Sequence, residues 1–120
     1  MPESKPARYD VAHFSEIEPV RCPCGWAKRA FVSPDNPLAT THYVDILEDA
    51  RTHYHKDHTE IYVILETDGA CFVELEGALV PVRPLSTILI KPGCRHRAVG
   101  KMKIINTSIP PFDAADEWFD

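Results

Sequence analysis

From Thr40 onward, apolar and β-branched residues recur in short runs separated by turn-forming residues. The runs are Thr40–Leu47, Arg51–His55, Glu60–Glu66, Ala70–Leu75, Leu79–Val82, Thr87–Ile90, His96–Val99 and Lys103–Ile109. Between them lie Thr67-Asp68-Gly69, Glu76-Gly77, Pro84-Leu85-Ser86, Pro92-Gly93 and Gly100-Lys101. No stretch sustains a 3.6-residue apolar period. Short strands at regular spacing with Gly/Pro turns predict an all-β chain, an antiparallel sandwich or barrel. The preceding segment carries Pro2, Pro6, Pro19, Pro23, Pro34 and Pro37, which suits an extended arm with short strands. At the other end Pro110-Pro111 stops the sheet, and Asp113 is placed to cap one helical turn. Phe112, Trp118 and Phe119 are expected to pack over one end of the barrel. The predicted organisation is an arm over 1–38, a barrel over 39–112 and a packed tail over 113–120.

Strand parity adds detail, because side chains at i and i+2 share a face. His53 and His55 project together, with Arg51 on the same side. If Glu60 faces inward, Tyr62, Ile64 and Glu66 follow. The opposite face then carries Ile61, Val63 and Leu65, too apolar for a solvated surface. A second sheet, the arm or a second subunit should cover it, and a homodimer is expected.

Length and charge narrow the function classes. At 120 residues the chain reads as one domain. A formal net charge of −5 without a Lys/Arg cluster gives no attraction for nucleic acid. The apolar runs are too short for a membrane span and the polar start lacks a signal-peptide core, so a cytoplasmic protein is expected. Cys22-Pro23-Cys24-Gly25 departs from the C-x₂₋₄-C spacing of structural zinc sites and has no matching second pair. It reads as a tight turn carrying two reduced thiols.

His53, His55, Glu60 and His96 are the residues that carry chemistry. Three imidazoles and a carboxylate make a complete first shell for one divalent transition metal, with iron the first candidate and nickel, manganese and zinc the alternatives. Tyr62, two residues past Glu60 on the same face, is the candidate for catalytic proton transfer. Arg51 is the candidate for holding a substrate carboxylate. Glu66 and Arg95 are further candidates for the pocket mouth. His58 is expected to be an exposed turn residue, and His42 a strand residue that packs in the interior or, alternatively, lines the pocket.

The stretch His53-Tyr54-His55-Lys56-Asp57-His58-Thr59-Glu60 resembles the first motif of the cupin superfamily, and Pro92-Gly93-Cys94-Arg95-His96 resembles the second. With their flanking strands they span roughly Thr40 to Ile109. The resemblance implies a double-stranded β-helix, a small jelly-roll barrel, and assigns His53, His55, Glu60 and His96 as metal ligands. Leu47 and Thr67 stand where the family pattern has glycines, Lys91 where it has proline, and Gly100 where it has asparagine; these positions shape turns and pocket edges. The resemblance further implies a metal-dependent enzyme of dioxygenase, isomerase or lyase type acting on a small polar organic molecule. The alternative is a non-catalytic module that binds a carbohydrate-like ligand.

Overall fold

The computed structural model describes residues 7–120. Its strands are β1 (Val20–Cys22), β2 (Gly25–Ala30), β3 (Thr40–Ile46), β4 (Thr59–Leu75), β5 (Ala78–Val82), β6 (Thr87–Ile90) and β7 (His96–Ile109). Two 3₁₀ turns, Phe14–Glu16 and Ala114–Asp116, flank them. The antiparallel order is β1-β2-β3-β7-β4-β5, with β6 also paired to β4. This is the all-β jelly-roll barrel expected from the turn spacing and the motifs. Among the described residues no helix is long and apolar enough to cross a membrane.

The strand pattern follows from side-chain shape and parity. On β3, rich in Thr, Val and Ile, the alternate residues Thr40, His42, Val44 and Ile46 are all buried. On β7, Ala98, Met102 and Ile104 face the same interior. With Ile64, Val73 and Ile90 they form the packed end of the barrel, held by the burial of aliphatic surface.

Two predicted turns are corners inside continuous strands. Thr67-Asp68-Gly69 lies within β4 and Gly100-Lys101 within β7, and the two strands pair on both sides of the bend. A Cβ at Gly100 would lie 3.1 Å from the Ala70 carbonyl oxygen and 3.0 Å from Cys71 Sγ. Glycine therefore lets the strands bend together there. A bulge between Ile64 and Glu66 makes Leu65 the extra residue of β4, which reverses the facing beyond it. Glu66 consequently points outward, pairs with Lys103 at 3.5 Å and does not line the barrel cavity.

Strands β1 and β2, which precede residue 39, also join the sheet. Strand β2 pairs with β3 from Gly25↔Ile46 to Ala30↔Thr41. At Gly25 the backbones approach so closely that a Cβ would sit 1.9 Å from the Asp45 carbonyl oxygen. The run Arg51–His55, expected as a strand, is held by single bridges on either side: His53↔His96 and Tyr54↔Trp118.

Candidate metal centre

Those bridges define the site. His53 exchanges backbone hydrogen bonds with His96, Tyr54 does so with Trp118, and the Gly93 N–H donates to the His55 carbonyl at 2.7 Å. The segment is thus fixed between β7 and the C-terminal tail, with His53 and His55 on one face. Glu60 enters from the start of β4 and His96 from the start of β7. Their donor atoms all lie within 4.8 Å of one another. The four side chains named from the sequence are brought together, and they could hold one metal ion.

The donor set fits a cation on three counts. First, each imidazole Nδ1 lies against a backbone carbonyl: His53 on Arg51 at 2.9 Å, His55 on Asp116 at 2.7 Å and His96 on Cys94 at 2.8 Å. Donation from Nδ1–H leaves the Nε2 lone pairs directed at the site, the arrangement that orients metal-binding histidines. Second, His55 Nε2 and His96 Nε2 stand 2.9 and 3.0 Å from Glu60 Oε1, yet all three atoms are buried without a hydrogen-bond partner. Acceptors facing one another in a dry site need a positive charge between them, a proton or a metal ion. Third, donors about 2.1 Å from one ion stand about 3.0 Å apart at a right angle and about 3.4 Å apart at the tetrahedral angle. The two spacings from Glu60 Oε1, 2.9 Å to His55 Nε2 and 3.0 Å to His96 Nε2, are short enough for the atoms to share one ion.

Glu60 is positioned as firmly as the rings. Asn106 Nδ2 donates to Glu60 Oε2 at 2.7 Å, leaving Oε1 for the ion. Burial would raise this carboxyl, but the His55 and His96 rings outweigh it and hold Glu60 well below the usual carboxylate range. Burial likewise opposes protonation of His55, and the Glu60 carboxylate overrides it and raises the imidazole. His53 is lowered, by burial and by its neighbour His96.

Asp116 ties the site to the tail. Its carboxylate accepts from Lys56 N at 3.0 Å, Asp57 N at 2.9 Å and Trp118 Nε1 at 3.0 Å. It also meets His58 Nδ1 at 2.6 Å. Burial would raise the Asp116 carboxyl, yet these bonds, led by those from Asp57 and Lys56, hold it at about 2. His58 is therefore not an exposed turn residue: it is 4% exposed, with its second nitrogen donating to the Pro111 carbonyl at 2.8 Å. His55, His58 and Asp116 form a second group of potential donors, but hydrogen bonds occupy His58 and Asp116. As expected, Asp113 caps the 3₁₀ turn, accepting from Ala115 N at 2.9 Å.

A cavity of about 360 Å³ adjoins His53, His55 and Glu60, walled by Ala27, Val44, Ile46, Ala98 and Ile104. Tyr62 lines it and is 6% exposed. Burial and the nearby Glu60 carboxylate push its phenol well above the ordinary tyrosine value. Arg51 is an exposed lining residue, its guanidinium 4.1 Å from the centre of the Phe119 ring. With Pro23 and Phe119 it marks the rim. Arg95 lies elsewhere, paired with both Asp120 oxygens at 2.9 Å and stacked on Tyr54, and is not a mouth residue.

Several lining residues escaped the sequence reading. Asn106 and Arg29 went unnoticed, although Asn106 sits on the inward parity of Ile104 and Ser108, and Arg29 on that of Ala27. His42, for which the sequence left packing and pocket lining open, is buried and lines the cavity. Burial and the Arg29 charge lower it to about 4. The thiols of Cys22 and Cys24 face the same cavity 3.9 Å apart.

The barrel, its bend and the His/Glu cluster give the chain the fold of a small cupin. A protein from Planctomyces limnophilus superposes with a TM-score of 0.89 and 49% identity, over 94% of this chain and 98% of that one; the two belong to one family. Streptomyces Pac13, a nucleoside dehydratase also seen with uridine, gives 0.78 at 18% identity, over 93% of this chain and 90% of that one. An RmlC-like cupin from Shewanella frigidimarina gives 0.67 at 18% identity, over 82% and 88%. The last two share the fold. No protein-family model and no curated protein matches the sequence.

Proposed function

We propose that the chain is a metal-dependent enzyme of the lyase or isomerase type, acting on a small polar organic molecule inside the barrel. His53, His55, Glu60 and His96 hold one divalent transition metal, and the donor set accepts iron, nickel, manganese or zinc. The observation that carries this reading is the convergence of His55 Nε2, His96 Nε2 and Glu60 Oε1, buried and without partners, beside a cavity of small-molecule size. When bound, the metal supplies Lewis acidity to a substrate oxygen. The chain's own groups then handle protons. Tyr62, kept protonated, donates to an oxygen that gains charge or departs. Asn106 fixes Glu60 through Nδ2, and its buried Oδ1 lacks a partner, leaving an acceptor for a substrate hydroxyl. The apolar wall excludes water and strengthens these contacts. Arg51 meets the substrate at the rim. A homodimer completes the proposal, burying Leu79, Leu85 and Leu89, which are 54, 80 and 58% exposed.

Proton-transfer chemistry is tested by incubating the metal-loaded protein in D₂O with a panel of small hydroxy- and oxo-compounds. Proton NMR should show deuterium entering next to a carbonyl, or loss of water, and both should fall at least about a hundredfold in Tyr62→Phe. Oxygen uptake without exchange, or no turnover of any compound by fully loaded protein, would overturn the proposal. Elution at monomer mass in light scattering would remove the dimer alone.

A further inference from the structure

The cavity has a second pole, opposite in charge to Glu60. Arg29, His42, Asn106 and Tyr62 pair in register across β2, β3, β7 and β4, so their side chains form one inward row. All four line the cavity. Arg29 is half-buried, its Nε is buried without a hydrogen-bond partner, and its guanidinium lies 4.6 Å from the centre of the Phe112 ring. Among the described residues no carboxylate comes within ion-pair distance of it, whereas Arg95 and Arg97 are both paired with acids. The ring face offsets part of the cost of enclosing a cation, but the charge is left uncompensated. His42 beside it is neutral at pH 7, so the charge at this end is a single one.

We propose that Arg29 is the anion-recognition residue of the cavity, binding one carboxylate of a small organic acid whose other end reaches the His53, His55, Glu60 and His96 cluster. This rests on the metal-centre reading for the far end of the ligand, not for the Arg29 contact itself. A carboxylate suits the site better than a phosphate. One guanidinium fork matches one carboxylate in two parallel bonds, whereas a phosphate dianion would concentrate both of its charges at this single cation. Length is bounded too: Arg29 and Asn106 lie on strands two spacings apart, about 10 Å between backbones. An acid of about three to six carbons spans the row within the cavity volume. Arg51, the residue that the sequence suggested for this task, is exposed at the rim, where water weakens such a pair.

The test is isothermal titration of malonate, succinate, glutarate and adipate, with glutaramide and inorganic phosphate as controls. It is run on zinc-loaded and on chelator-stripped protein. At least one diacid should bind both preparations, and more tightly with zinc; glutaramide and phosphate should bind at least about tenfold more weakly. Arg29→Met, which keeps the aliphatic stem, should weaken the diacid at least about tenfold in both preparations, with Arg29→Lys intermediate. Unliganded Arg29→Met should melt no lower than the native chain, because it removes an unpaired charge. Diacid affinity unchanged in Arg29→Met, no diacid binding at all, phosphate binding as tight as the diacid, or a marked loss of melting temperature would each overturn the proposal. If zinc fails to bind while Arg29-dependent diacid binding persists, the metal-centre reading falls and the Arg29 assignment stands.

Discussion

Replacing Asp116 with asparagine tests how the tail supports the site. The carboxylate takes bonds from Lys56 N, Asp57 N and Trp118 Nε1 and pairs with His58. Asparagine keeps one acceptor oxygen and puts an amino group where the other stood. Whichever way it turns, two donors face a donor: either Lys56 N with Trp118 Nε1, or Asp57 N with His58 Nδ1. A hydrogen bond to a charged group is worth about 1.5–3 kcal/mol, and Lys56 and Asp57 lie near enough to solvent to rehydrate, so about 3 kcal/mol for the pair is a low-end figure. At about 4 °C per kcal/mol, the melting temperature of the metal-stripped protein should fall by about 12 °C. Because the Asp116 carbonyl orients the His55 ring at 2.7 Å, metal affinity should also drop at least about tenfold. Acid removes the difference in a defined window. The native carboxyl, held at about 2, contributes stability above its unfolded value of about 3.9, and that contribution is lost as pH falls from about 4 through about 2. Thermal unfolding by circular dichroism at pH 7, 5 and 3, with a chelator competition at pH 7, measures both effects. A change under 2 °C together with unaltered affinity would refute the support assigned to Asp116.

Three further outcomes follow from the same geometry. Gly25→Ala forces a Cβ to within 1.9 Å of the Asp45 carbonyl oxygen and should cost at least about 2 kcal/mol. Gly69→Ala meets nothing within 4 Å and should cost only about 1 kcal/mol for its positive φ; equal melting temperatures for the two variants would contradict the close approach. Metal affinity should rise with pH across the neutral range, because the proton that Glu60 retains on His55 must leave when the ion binds; chelator competition at pH 6, 7 and 8 that shows no slope would contradict the His55–Glu60 coupling. The bond between the two thiols, against the opposing effect of burial, lowers Cys22 to about 6, and the same bond together with burial raises Cys24. Iodoacetamide at pH 7 should therefore modify Cys22 well before Cys94, which burial and Glu76 raise, and peptide mass spectrometry showing equal rates would refute this.

The donors were legible because two local rules coincide at them. Alternation along an extended segment puts His53 and His55 on one face, and the spacing to Glu60 and His96 matches strand starts that the turn residues mark. What lay beyond local rules was missed. Gly69 and Gly100 are turn residues by composition, yet they serve as a shared corner because β4 and β7 bend together, a fact of pairing that neither strand shows alone. Glu66 followed the parity of Glu60 until the extra residue Leu65 reversed it. His58 reads as exposed from its polar surroundings, but its burial depends on Asp116, which is 58 positions away in sequence. Arg29 was hidden because its proline-rich surroundings suggested an arm, whereas the pairing of β2 with β3 makes it part of the cavity wall.

Anomalous X-ray diffraction from protein purified without chelators tests the metal centre most directly. The expected result is one peak per chain within bonding distance of Nε2 of His53, His55 and His96 and of Oε1 of Glu60, lost in His96→Ala. A site with no anomalous signal, or with its peak between His58 and Asp116, would contradict the assignment of these four side chains.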